Sequence, residues 1–121
     1  MGEETMNKSE VRKYLLDKPG AVEENPFKMG VPVFKVGGKM FALINTHEEQ
    51  NSINLKYHRD SIQALRTSCD AVKPGYHMNK SNWNTVYIAN LKNSLVKEMI
   101  DISYDLVFAS LKKSKKAEIE S

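Results

Sequence analysis

Val33-Phe34-Lys35-Val36-Gly37-Gly38-Lys39-Met40-Phe41-Ala42-Leu43-Ile44 sets two strand-like runs on either side of a glycine pair. Glycine reaches the positive φ angles of a two-residue turn without steric cost, so this stretch predicts an antiparallel hairpin. Downstream, Ser52-Ile53-Asn54-Leu55-Lys56-Tyr57 alternates strictly, with Ile53, Leu55 and Tyr57 on one face and Ser52, Asn54 and Lys56 on the other. Such alternation belongs to an antiparallel sheet with one face covered and one open. Val72 to Met78 and Trp83 to Ile88 read as two more strands, joined by Asn79-Lys80-Ser81-Asn82.

Helical signals flank these strands. Asn7-Lys8-Ser9-Glu10 is a helix start in which Asn7 caps free amides and Glu10 reaches back three residues later. Val11, Tyr14 and Leu15 follow at helical spacing, and Pro19-Gly20 closes the helix ahead of a loop through Glu24-Asn25-Pro26-Phe27. Asn45 to Gln50 is a polar turn. Asp60-Ser61-Ile62-Gln63 repeats the capping logic for a short helix that fades near Cys69. Asn93 then caps a long helix carrying Val96, Met99, Ile100, Ser103, Leu106, Val107 and Leu111 on one stripe. Lys112, Lys113, Lys115 and Lys116 would end it, with residues 112–121 fraying as a basic tail. The expected fold is α+β: two layers, a five-stranded antiparallel sheet with helices on one face, in the order α-β-β-β-α-β-β-α.

The totals agree with one domain over 1–121 and a core over about 7–113, since 121 residues leave little length for a second core. Apolar residues make up 40% of the chain, enough for a core without staples, and the lone Cys69 has no partner for an internal disulfide. No apolar run approaches the ~20 residues of a membrane span, and the acidic, polar N-terminus is unlike a signal peptide. A reducing cytoplasm is the expected location. Net charge is +3, unevenly spread. Residues 51–97 hold Lys56, Arg59, Arg66, Lys73, Lys80, Lys92 and Lys97 against only Asp60 and Asp70, or +5, leaving −2 elsewhere. A polyanion partner or a plain solvated lysine surface would both fit that excess.

With the elements placed, the chain resembles the MmcQ/YjbR family of small bacterial proteins from about Val11 to Leu111. The resemblance rests on Pro19-Gly20, the Val33–Val36 and Gly38–Ala42 runs, Pro74-Gly75-Tyr76-His77-Met78-Asn79-Lys80, Trp83-Asn84-Thr85-Val86 and Ile102-Ser103-Tyr104-Asp105-Leu106-Val107. It implies an α+β fold like that of frataxins and secretion chaperones. It also implies the DNA-binding label, with paired wings, that goes with the family, and it brings no catalytic residues.

The segment from Gly75 to Val86 holds the only tryptophan and is the candidate working surface. If Val86 and Ile88 face the helices, Trp83, Thr85 and Tyr87 point to the open face with Lys56 and Asn54. An aromatic among lysines could stack bases while the lysines meet phosphates, or the turn could act as a wing with Lys80 at its tip. Lys80, Trp83 and Lys56 are the expected nucleic-acid contacts, with Arg59 and Lys73 next. His77, Asn79 and Asn84 could line a small-molecule pocket. The structural alternative has Trp83 covering the sheet while His77, Asn79 and Asn84 satisfy backbone groups. His47, His58 and His77 lack metal-site spacing, so neither metal nor cofactor is expected. Ser103-Tyr104-Asp105 sits within one helix, where successive side chains diverge, so it forms no catalytic unit. The expected function is a non-enzymatic binding domain for DNA; a protein-interaction module on the open sheet face is the alternative, and a small-molecule binder the third.

Overall fold

The computed structural model describes residues 4–25, 30–46, 51–75 and 78–120. Helix α1 (Lys8–Leu16) begins as its sequence dictates: Glu10 N donates to Asn7 Oδ1 at 2.8 Å, and Asn7 N donates to the Glu10 carboxylate at 3.1 Å. Strands β1 (Ala21–Glu24), β2 (Val33–Val36), β3 (Lys39–Asn45) and β4 (Ser52–Lys56) follow. Then come α2 (Ile62–Ser68), β5 (Val72–Pro74), β6 (Trp83–Tyr87), a 3-10 turn at Ile88–Asn90, α3 (Asn93–Ala109) and α4 (Lys113–Glu120). The sheet is antiparallel throughout, in the order β1-β2-β3-β4-β6-β5. At the β2–β3 hairpin, Gly37 and Gly38 take φ of 57° and 83°, as the glycine pair predicts.

The sheet therefore has six strands and the described residues four α-helices, where five strands and three helices are expected from sequence. The extra strand, Ala21-Val22-Glu23-Glu24, alternates only weakly, and Val22 stands 49% exposed. Its extended state comes from pairing with β2 and from edge ion pairs, Arg12–Glu23 at 2.5 Å and Lys35–Glu24 at 3.1 Å. The extra helix occupies the segment expected to fray. Helix α3 stops at Ser110, so the lysines do not end it; Lys113, Lys115 and Lys116 belong to α4, whose Ile119 packs on the core beside Gly20. Two capping expectations also change. Lys92, not Asn93, precedes α3, and Ser61 precedes α2 without a side-chain cap bond. Strand β5 ends at Pro74, short of Met78, and an edge position tolerates a proline that cannot donate.

Cross-strand register fixes the two faces. Phe34, Ala42, Leu55 and Asn84 form one row, and Ile44, Ile53, Val86 and Val72 the next. These rows meet Val11 and Leu15 of α1 and Val96, Ile100 and Val107 of α3 in the main core. One irregularity tightens it. Phe34 pairs with Ala42 and Lys35 with Met40, so Phe41 is the extra residue of a bulge; its ring reaches the core and meets Tyr104 edge-on at 5.3 Å. Ser103 of α3 bridges to the sheet. Its hydroxyl donates to Phe41 O at 2.5 Å and accepts from Lys56 N at 2.9 Å.

Candidate functional site

The opposite face of the sheet holds the row Val33, Leu43, Asn54, Thr85, Lys73, and beside it the pairs Ser52–Tyr87 and Lys56–Trp83. Alternation thus places Trp83 and Lys56 together as expected. The centre of this face, however, is closed. Ser52, Asn54 and Thr85 are 0–1% exposed. Thr85 Oγ1 donates to Asn54 Oδ1 at 2.7 Å, and Asn45 Nδ2 donates to both Asn54 Oδ1 (3.1 Å) and Ser52 Oγ (3.0 Å). Polar residues here form a buried, mutually bonded stripe, which is the form in which an interior accepts polar atoms. The expected open platform is confined to the end of the strands at Lys56 and Trp83.

The predicted cations are spread over this end and its flanks. Trp83 is half-buried, directly opposite Lys56 across the β4–β6 ladder. Lys73, exposed, stands opposite Thr85 on the other flank of β6. The turn before β6 carries exposed Lys80, and exposed Arg59 reaches it through Nη2 to Ser81 Oγ at 3.1 Å. One of the four cations, Lys56, is thus the cross-strand partner of Trp83, and Lys73, Lys80 and Arg59 lie on the elements next to it: β5, the turn and the β4–α2 connection. Asp60 is the acidic neighbour in the same connection.

The turn is built to hold its shape. Asn79 Oδ1 accepts from Ser81 N at 3.0 Å and Ser81 Oγ at 2.7 Å, while Asn79 O accepts from Trp83 N at 3.0 Å. Asn82 O takes Tyr57 N at 2.8 Å, and Gly75 N reaches Trp83 O at 2.9 Å. A Cβ on Gly75 would stand 3.0 Å from Trp83 O, a tight approach to backbone that glycine relieves. Arg66 of α2 completes the clamp. Its Nε donates to Asn84 Oδ1 at 2.7 Å, and Nη2 donates to Trp83 O at 2.9 Å and Lys80 O at 2.5 Å. Burial pulls the Arg66 pKa below its ordinary value.

Sequence reasoning counted Arg66 only as one more positive charge. Its spacing four residues after Ile62, the buried residue of α2, is the signal that could have placed it on the inner side of that helix. The suggested pocket of His77, Asn79 and Asn84 fares differently. His77 lies outside the described residues, as do Tyr76 and His47. Asn84 is 2% exposed and serves Arg66, and Asn79 organises the turn. Cys69 is half-buried at the end of α2. Among the described residues no group of three or more His, Cys, Asp or Glu side chains is placed to hold a metal ion, and no helix is long and apolar enough to cross a membrane.

The family model for YjbR matches residues 16–106, which include the sheet, the turn and most of α3. The uncharacterized protein YjbR of Escherichia coli strain K12 is 31% identical over 100 residues, covering 82% of this chain and 85% of that protein. The uncharacterized protein YbdF of Escherichia coli O157:H7 is 36% identical over 89 residues, 73% of each chain. Among solved structures, the Deinococcus radiodurans protein DR2400, with domain DUF419, superposes with a TM-score of 0.87 at 28% identity over 96% of this chain and 89% of its own. A Pseudomonas syringae protein superposes with a TM-score of 0.74 at 25% identity over 84% and 99%.

Proposed function

This chain belongs to the YjbR family, and from that premise we propose that it is a non-enzymatic nucleic-acid-binding domain working through the end of its sheet around Trp83. One observation supports the reading: Lys56 stands opposite Trp83 in the β4–β6 ladder, with Lys73 on β5, Lys80 in the turn before β6 and Arg59 bonded to that turn at Ser81. Cations on a backbone track release counterions when they meet phosphates, and an aromatic face accepts any base. Because Ser52, Asn54 and Thr85 are buried, contact is limited to this end, which favours a short footprint over a long stacking platform. Arg66 and Ser103 hold the frame and touch no ligand in this reading.

Binding of fluorescently labelled oligonucleotides across a salt series is the test. Lys80→Ala should weaken binding for all sequences alike and reduce the salt slope by about one, with the other three cations behaving similarly. An unchanged slope in every one of the four variants would overturn the assignment. A protein partner is the second reading. It would have to use this same end of the face, given the buried centre, and it predicts affinity that barely responds to salt.

A further inference from the structure

A cleft of about 390 Å³ opens beside the cation cluster, between the β4–α2 connection and α3. Lys56, Tyr57, His58, Arg59, Asn82 and Leu106 line it, with Asp60 at its side. Its size falls at the small end of the roughly 300–1,000 Å³ of ligand pockets. Three features make it more than a dent between elements. Two cations already assigned to phosphate contact stand in its wall. Its aromatic side is set: the Tyr57 and His58 rings meet edge to face at 5.6 Å, and Leu106 offers an apolar surface from α3. Finally, Asn82 Oδ1 is buried with no hydrogen-bond partner among the described residues. A buried acceptor without a donor is unfavourable, so something is expected to supply one.

We infer that this cleft seats one unpaired nucleotide of a bound single strand, its phosphate on Lys56 and Arg59, its base beside Tyr57, His58 and Leu106, and a base amino group at Asn82. The inference rests on the nucleic-acid reading above and adds to it a preference for unpaired over paired strands. A duplex keeps its bases stacked and inward, so it can use the cations but not the cleft. Asp60 fits the same picture as an acceptor for a sugar hydroxyl or a second amino group.

The test has two parts. Amide NMR shifts would be followed on adding AMP or CMP, with inorganic phosphate and ribose 5-phosphate as controls. Shifts centred on Tyr57, Asn82 and Leu106 with the nucleotides alone are expected. Identical shifts from inorganic phosphate would overturn the base seat. In parallel, Leu106→Ala and Leu106→Glu would be titrated with single-stranded and duplex DNA. Leu106 is only half-buried, so both variants should fold, and circular dichroism checks this. The expected result is a loss of about tenfold for single strands in Leu106→Glu, a smaller loss in Leu106→Ala, and little change for duplex. Equal binding of both DNA forms, unmoved by either substitution, would sink the cleft while leaving the cation surface standing. Absence of binding to any oligonucleotide by the unaltered protein would remove the underlying reading. Mononucleotide shifts without oligonucleotide binding would overturn the strand-bound form of the inference.

Discussion

Two stretches of the same sheet face, a few ångströms apart, carry polar side chains and behave oppositely. At the centre, Ser52, Asn54 and Thr85 are sealed and spend their polar atoms on one another and on Asn45. At the end, Lys56 and Trp83 are half-buried, while Lys80 and Arg59 nearby in the chain, and Lys73 at the β5 edge, are exposed. Short uncharged side chains can saturate each other inside a fold, whereas lysine heads cannot be buried without a paired charge and stay in water. The first group should therefore govern stability and the second binding. Arg66 and Ser103 join the two: one clamps the turn to β6, the other pins the backbone of Lys56 to α3.

The strongest way to break this division is Asn54→Ala. It removes one acceptor from Thr85 Oγ1 and from Asn45 Nδ2, which keeps its bond to Ser52 Oγ, and should cost about 1–3 kcal/mol in chemical denaturation. The folded fraction should bind oligonucleotides as before; a stability change below experimental error would mean that the stripe is not a bonded interior. Arg66→Ala comes next, at about 2 kcal/mol for the loss of charge-assisted bonds. Unlike Asn54→Ala, it should also speed hydrogen exchange at Trp83 and weaken binding, and a variant with an unchanged turn would separate the two regions completely.

The smallest effect is on the helix side, remote from both stretches. Tyr14 donates to Asp101 at 2.7 Å, while Lys18 pairs with that carboxylate. Burial first, and then Asp101, push the Tyr14 pKa up to about 12 from 10.0. The folded state thus holds this proton more tightly, so the contribution is complete below pH 10 and is lost as pH rises through about 12. Tyr14→Phe should cost about 1 kcal/mol at neutral pH and make the alkaline fall in stability shallower. Equal alkaline slopes in both proteins would dissociate Tyr14 from it.

Local chemistry was legible in the sequence; long-range satisfaction was not. The capping box at Asn7 and Glu10, the glycine hairpin and the facing of Trp83 with Lys56 all follow from neighbours or from strict alternation. Strand β1 hides because Ala21-Val22-Glu23-Glu24 gains its state from β2, and α4 because Ile119 is its single strongly apolar anchor among lysines and glutamates. Burial of Asn54 could not be read either. Alternation says which side a residue takes, while exposure depends on what else the chain brings there. Ser103 and Arg66 were ambiguous for the same reason, their partners lying 62 and 18 residues away.

The most direct measurement uses Trp83, the only tryptophan, as its own reporter: fluorescence titration with short single-stranded and duplex DNA at two salt concentrations. Four phosphate contacts predict quenching or a spectral shift of Trp83, with affinity falling steeply, at a log–log salt slope of about −3 to −4. Silent tryptophan fluorescence and no binding at low salt with micromolar DNA would contradict the proposed site.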